Sequence, residues 1–279
     1  MLRACVTGWP VSHSRSPLIH GFWLKRYNIE GDYSLRAVPV QEAASFYGGF
    51  AASGYVGANV TVPHKEVACA AASICCAAAE RLGVANTLWL EDGLLVADNT
   101  DGIGFLASLD QVVPAWSEKT ECALIVGAGG ASRAVIDALV QGGVERIELL
   151  NRTEARAREV AERFPGKVRA FGLDALASRL SSADLVINAT SAGLAGAELS
   201  VPWDGAKDSA IVTDLTYVPL QTPFLRGAAS AGLTTVDGLG MLLHQAVPGF
   251  ERWFGVRPVV DAALRDIVVA DLIERDSCS

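Results

Sequence analysis

The chain has no run of about 20 apolar residues, the length a helix needs to cross a bilayer. Its longest uncharged stretch in the amino-terminal half, Val67 to Ala79, is shorter and rich in alanine and cysteine. The opening MetLeuArgAlaCysValThrGlyTrpPro is cut short by Gly8 and Pro10, so no secretory signal is expected. Positive charge is scarce too: 23 Lys and Arg stand against 31 Asp and Glu, a formal charge of -8. That excludes a general attraction to nucleic acid or anionic membrane, and any anion site must be built locally. Metal-binding patterns are missing as well. The six cysteines (Cys5, Cys69, Cys75, Cys76, Cys122, Cys278) include no CxxC pair, and His13, His20, His64 and His244 form no HExxH. No metal is expected, and the cysteines read as free thiols. Low-complexity linkers and repeats of roughly 20 to 50 residues are also lacking.

What is present is a chain of 279 residues, 51% hydrophobic and 19% charged, long enough to bury two cores. A globular, cytoplasmic protein is expected. LeuArgAlaCysValThr reads as a strand, SerProLeuIleHisGlyPheTrpLeuLysArg as a helix with Pro17 in its first turn, and AspTyrSerLeuArgAlaValProVal as a second strand. A helix around Ala43 to Ser53 follows, then a strand at Asn59 to Val62, an alanine-rich helix from Glu66, and a hairpin turning at Glu91 to Gly93. After Asp101 the texture changes. GluCysAlaLeuIleVal, ArgIleGluLeuLeu, LysValArgAlaPhe, AspLeuValIleAsn, AlaIleValThrAsp and LeuThrThrVal are successive strand candidates, most of them separated by helical patterns. Such alternation predicts a parallel, doubly wound α/β sheet with right-handed crossovers. From Gly238 onward two helical patterns, divided at Gly255 and Pro258, have no strand to accompany them.

Between the first strand of the second half and its helix lies GlyAlaGlyGlyAlaSerArg, Gly127 to Arg133. Gly127 permits a tight turn, Gly129 lets backbone approach a phosphate, and the helix start offers free amides of partial positive charge. Ser132 stands where the GxGxxG pattern has its third glycine, and it is small enough for close packing. A glycine turn without a ligand is the plainer reading, but the strand-to-helix context favours a nucleotide. At the end of the next strand, where a carboxylate would hold the ribose of NAD, stands AsnArgThrGluAlaArg. Arg152 and Arg156 suit a 2′-phosphate and so favour NADP, with Glu154 as a first-turn acid.

The first half gathers polar groups. SerHisSerArgSerPro places three hydroxyls before a helix, where one cap is enough, and Ser14 and Ser16 become candidates for a carboxylate or hydroxyl ligand. Asn59, Thr61 and Lys65 cluster at a strand end, Asn86 and Thr87 precede the hairpin, and Asp98 and Asp101 lie in the loop entering the second half. Together they supply amides, one cation and one anion near the expected domain junction. Gln245 follows Met241 by four residues and is read on the same helix face, with Asp237 as N-cap.

These segments, with AsnAlaThrSerAlaGly and AspGlyLeuGlyMetLeuLeuHisGlnAla, resemble the shikimate dehydrogenase family in order and nearly end to end. The resemblance implies a substrate domain over 1–101, a Rossmann-type NADP domain over 102–236 and helices over 237–279 that return to the first domain. It implies NADP-dependent reduction of 3-dehydroshikimate, with Lys65 and Asp101 as catalytic pair. Ser14, Ser16, Asn59 or Thr61, Asn86 and Gln245 would hold the substrate, with Tyr217 nearby. Gly127, Ala128, Gly129, Gly130, Ala131, Asn151, Arg152, Thr153, Arg156, Thr190, Gly238 and Met241 would meet the cofactor; core packing is the plainer reading of Met241. A relative preferring quinate or an aminated analogue is the close alternative. A non-catalytic nucleotide-responsive regulator is the distant one, against which the presence of both Lys65 and Asp101 argues. Monomer and homodimer both fit the sequence.

Overall fold

The computed structural model describes residues 1–190 and 199–276. Cys278 and the last three residues of AsnAlaThrSerAlaGly lie outside them. The chain forms two compact units, residues 1–100 with 243–279, and residues 101–242. The expected division put Asp101 in the first domain and 237 onward with the returning helices. Asp101 instead opens a helix whose Gly102 lies so close to Ala138 that a Cβ would stand 2.8 Å from the Ala138 methyl. Gly240 likewise meets Ser108 of that helix. Close packing, rather than sequence texture, sets these boundaries.

The first unit begins with β1 (Leu2–Gly8), α1 (Ser16–Arg26) and β2 (Gly31–Ala37), β1 and β2 being parallel. Next come α2 (Ala43–Gly48), shorter than expected and followed by a 3-10 turn at Phe50–Ala52, and β3 (Gly57–Val60). The strand expected at Asn59 to Val62 thus starts and stops two residues earlier. Pro63 removes an amide donor and restricts Val62, and the chain turns directly into α3 (Lys65–Ala71). Lys65 is therefore the first residue of a helix. The single alanine-rich helix expected from Glu66 is two helices, α3 and α4 (Ala77–Leu82), split by β4 (Ile74–Cys75). Ladder bonds override the helix propensity of alanine there: Ser73 N donates to Leu95 O and Cys76 N to Ala97 O, both at 2.8 Å.

β5 (Thr87–Glu91) and β6 (Leu94–Asp98) form the expected hairpin, with Asp92 and Gly93 both at positive φ, as a tight two-residue turn requires. The sheet order is β2-β1-β3-β5-β6-β4, with the β3–β5 and β5–β6 pairs antiparallel.

The second unit opens with α5 (Asp101–Val112), β7 (Cys122–Val126), α6 (Gly130–Gln141), β8 (Arg146–Asn151) and α7 (Glu154–Ala161). It continues through β9 (Val168–Gly172), α8 (Leu176–Leu180), β10 (Leu185–Asn188), β11 (Ile211–Asp214), α9 (Pro223–Ser230) and β12 (Thr234–Val236). Its strands are all parallel in the order β12-β11-β10-β7-β8-β9, so the chain reverses direction at β7 and β10. This is the predicted doubly wound sheet, and its switch point lies where β7 ends in the glycine loop. The buried runs CysAlaLeuIleVal and LeuValIleAsn match strands covered on both faces.

Three helices, not two, finish the described chain: α10 (Leu239–His244), α11 (Val247–Phe254) and α12 (Ala262–Asp276). The last two belong to the first unit. Trp253 lies across β3, where any Cβ at Gly57 would fall 1.9 Å from its Nε1, and that Nε1 donates to Leu88 O at 2.9 Å. Arg15 pairs with Asp271 of α12 at 2.7 Å. Among the described residues no helix is long and apolar enough to cross a membrane, and no group of three His, Cys, Asp or Glu is placed to hold a metal.

Candidate functional site

In the first unit the polar residues converge at the carboxyl ends of β1 and β3 and the start of β5. Ser14 and Ser16 flank Arg15, the residue capping α1, which makes no side-chain cap bond. The expected serine cap is therefore absent. Ser14 Oγ instead accepts the Ser16 amide and donates to Ser16 Oγ, both at 3.2 Å.

Asn86, buried among the chain's polar residues, uses its Oδ1 to accept from the amide and hydroxyl of Thr100, at 2.8 and 3.1 Å, and from the Thr87 hydroxyl at 3.0 Å. Its Nδ2 donates to Gln245 Oε1 at 3.3 Å. Asn86 and Gln245 are thus brought together from 159 residues apart, while Thr100 holds the backbone of Gln245 at 2.8 Å. Gln245 lies one residue beyond α10 and in the first unit, so it does not share a helix face with Met241 as expected. The Lys65 carbonyl accepts from Ala85 N at 2.9 Å, which sets Lys65 beside the strand end carrying Asn86. Half-buried Thr61 is anchored by its amide to Thr7 O at 2.8 Å.

Asn59 differs from the others. Its Oδ1 accepts from the Tyr33 hydroxyl at 2.6 Å and faces His20 Nε2 at 3.2 Å; its Nδ2 donates to Asn86 O at 3.3 Å and Thr87 Oγ1 at 3.4 Å. Both ends of this buried amide are occupied from within the unit. Of the expected pair, Thr61 is the better ligand candidate, and Asn59 braces β3 against β5 and β2. Sequence reading missed this brace, because His20 and Tyr33 look like ordinary core aromatics in their own elements. His20 stacks on Tyr33 with ring centroids 4.0 Å apart, and burial pushes its pKa down to about 3, so the ring is neutral. Burial also raises the carboxyl of Asp98, which holds the Asn99 amide at 2.7 Å.

In the second unit, Gly127 at φ 110° sits so close to β10 that a Cβ would stand 2.9 Å from the carbonyl carbon of Ala189 and from Thr190 Cγ2. At Gly129 and Gly130 a Cβ would meet nothing within 4 Å, which leaves open backbone before the amides of α6. Ser132, in the place of the third glycine, is fully buried and donates to Gly129 O at 2.7 Å. Arg133 has a buried Nε without a hydrogen-bond partner among the described residues. Asn151 Oδ1 accepts the Ala128 amide at 3.3 Å, and its Nδ2 donates to Thr153 O at 2.8 Å, tying the glycine loop to the end of β8.

Arg152, Thr153 and Arg156 are exposed. Arg158 is held by Glu154 at 2.6 Å, whereas neither Arg152 nor Arg156 has an ion pair among the described residues. Thr190 donates to Asn188 Oδ1 at 2.7 Å, and Asn188 Nδ2 to Asp214 Oδ2 at 3.0 Å. Asp214 also takes the Thr222 hydroxyl at 2.7 Å and the Thr216 amide at 2.9 Å, fixing the loop that carries half-buried Tyr217. Gly238 lies against the carbonyls of Asp214 and Leu215, where a Cβ would be 2.6 to 2.7 Å away. Asp237 Oδ1 accepts from Leu239 N at 3.1 Å, as a cap at the start of α10. Met241 packs partly against the core beneath β7 and β8.

Fold and loop chemistry define the second unit as a nucleotide-binding sheet of the doubly wound class, joined in one chain to an α/β unit that carries a cluster of polar side chains. Residues 6–88 match the model of the shikimate dehydrogenase substrate binding domain. Residues 110–199 match that of shikimate / quinate 5-dehydrogenase, and 238–265 that of the shikimate 5'-dehydrogenase C-terminal domain. The shikimate dehydrogenase (NADP(+)) of Azorhizobium caulinodans is 52% identical over 98% of this chain and 97% of its own. That of Mesorhizobium japonicum is 53% identical, covering 98% of each. The shikimate 5-dehydrogenase of Thermus thermophilus, solved with NADP(H) and shikimate, is 34% identical with a TM-score of 0.85, over 98% of this chain and 100% of that one. The chain belongs to the shikimate dehydrogenase family.

Proposed function

We propose that the protein reduces 3-dehydroshikimate to shikimate with NADPH, reversibly, as a step in aromatic amino-acid biosynthesis. The observation that carries this reading is the open glycine loop at Gly129 and Gly130 followed by the exposed cations Arg152 and Arg156, which have no ion pair among the described residues, in a chain of this family. These residues fit NADP: the α6 amides suit a pyrophosphate, and the two guanidinium groups suit a 2′-phosphate. The bound cofactor supplies the hydride.

The chain's own residues do the rest. Ser14, Ser16, Thr61, Asn86 and Gln245 orient the ring by its carboxylate and hydroxyls. Lys65 donates the proton to the ketone oxygen as negative charge develops there, and Asp101 is the second member of the catalytic pair. Tyr217 is a further substrate contact of this reading. A cytoplasmic location goes with this reading, since Cys5, Cys69, Cys75, Cys76 and Cys122 are free thiols, the usual state in a reducing compartment. The enzyme acts as a monomer or homodimer.

The test is loss of nicotinamide absorbance with 3-dehydroshikimate and NADPH, beside NADH and beside 3-dehydroquinate. Rapid oxidation of NADPH by dehydroshikimate alone is expected. Preference for NADH or dehydroquinate would move the protein to the quinate branch. Lys65→Ala should lower kcat by about 10²–10⁴-fold while shikimate still binds; an unchanged rate would remove Lys65 from the mechanism.

A further inference from the structure

The turn from β3 into α3 carries both Thr61 and Lys65, and His64 anchors it inward. Val62 is 69% exposed and Pro63 is exposed, whereas His64 is 1% exposed. His64 is the N-cap residue of α3, yet its side chain makes no cap bond. A side chain that served only the helix would turn to the free amides of the first turn. That of His64 turns away: Nε2 lies 2.7 Å from Val38 O, an atom that can only accept, so Nε2 carries a hydrogen and donates it. The His64 carbonyl meanwhile accepts the first helical bond, from Ala68 N at 2.9 Å.

The groups that receive the ring are themselves fixed. Val38 is 2% exposed, and its amide donates to Gly8 O at 3.2 Å. Gly8 lies against the same turn, where a Cβ would stand 2.5 Å from Thr61 Cγ2. The Tyr47 ring meets the imidazole edge-on, with centroids 6.0 Å apart. Thr7 Oγ1 spends its one proton on Asn59 O at 3.1 Å, so the Tyr47 hydroxyl donates to Thr7 at 2.8 Å. These contacts hold His64 to β1, the end of β2 and α2.

We infer that His64 is a positioning residue for Lys65: its bond to Val38 O fixes the start of α3, and with it the backbone from which the Lys65 side chain sets out. Lys65 then stands between two fixed points, this one and the bond its carbonyl accepts from Ala85 N at 2.9 Å. Thr61 is held separately, through its amide to Thr7 O at 2.8 Å. Loss of the His64 anchor therefore falls on proton donation by Lys65 and not on substrate binding. A displacement of about 1 Å in a reacting group can cost about 10²-fold in rate. The inference rests on the dehydroshikimate reading and deepens it.

His64→Gln and His64→Met are nearly the same shape and both lose the ring on Tyr47, but only glutamine keeps an N–H as many bonds from Cα as the imidazole Nε2. kcat is read per shikimate-binding site, counted by titration calorimetry, so that unfolded molecules drop out. His64→Met should lower it at least about tenfold, the scale of one buried hydrogen bond, with KM for dehydroshikimate and for NADPH each within about threefold. His64→Gln should stay within about threefold of the parent throughout. His64→Leu, a second side chain without a donor, should match His64→Met. A parental kcat in the methionine and leucine variants overturns the inference. So do equal losses in His64→Gln and His64→Met, which assign the effect to the packing of the ring, and a rise in KM at constant kcat, which assigns it to Thr61. Lys65→Ala in the same assay separates the inference from the reading beneath it. Lost turnover in Lys65→Ala beside a parental His64→Met sinks the inference alone. Parental turnover in Lys65→Ala, or a parent that does not reduce dehydroshikimate, means that the functional reading has failed, and the inference falls with it.

Discussion

Arg152→Ala should raise KM for NADPH by about 10- to 100-fold and leave that for NADH within about threefold. The guanidinium is exposed and has no ion pair among the described residues, so the variant breaks none of these and the loss belongs to the ligand. A hydrogen bond to a charged group contributes about 1.5–3 kcal/mol, and each 1.4 kcal/mol is tenfold. A second route gives a similar figure. In water-like surroundings two unit charges about 4 Å apart attract by about 1 kcal/mol, and a phosphate monoester carries nearly two charges, for roughly 2 kcal/mol.

Arg158→Ala is the control, because that guanidinium is already bound to Glu154 through Nη2 at 2.6 Å and Nε at 3.1 Å. It should change neither KM by more than about twofold. Initial rates with each nicotinamide cofactor at saturating dehydroshikimate decide the matter. Raising salt from about 0.1 to 1 M shortens the screening length from about 10 to 3 Å and should narrow the NADPH effect. Equal losses for NADPH and NADH, or an equal loss from Arg158→Ala, would refute the 2′-phosphate assignment.

Two further variants probe the scaffold. Gly127→Ala places a methyl 2.9 Å from the Ala189 carbonyl at a φ of 110°, combining backbone strain with overpacking at about 1–3 kcal/mol each. Differential scanning calorimetry should show a fall of at least about 4 °C in Tm, with weakened NADPH binding; a parental thermogram would mean that the loop yields freely. His20 is neutral in the folded chain with a pKa of about 3, against 6.5 for the free side chain. The unfolded chain therefore binds the extra proton, so this contribution is complete above about pH 6.5 and is lost as pH falls toward 3, at up to about 1.4 kcal/mol per pH unit. Replacing His20 with leucine should flatten the decline in Tm between about pH 6.5 and 4.5, and an unaltered decline would assign the acid sensitivity to other groups.

Local pattern made much of this legible. Alternating strands and helices after Asp101, the glycine loop, the Asp92–Gly93 turn and the Arg152–Arg156 spacing are all written in short stretches, because turns, phosphate loops and helix starts depend on adjacent residues. Tertiary structure decided what distant segments do to one another. It split the alanine-rich helix by recruiting Ile74 and Cys75 to β6. It ended β3 at Val60 and made Lys65 a helix start. It moved Gln245 off the helix of Met241 and onto Asn86. It also turned Asn59 from a candidate ligand into a brace held by Tyr33 and His20. Hydrogen-bond capacity is a property of the residue, but which partners fill it depends on strand register and burial, and those are fixed only when the sheet forms.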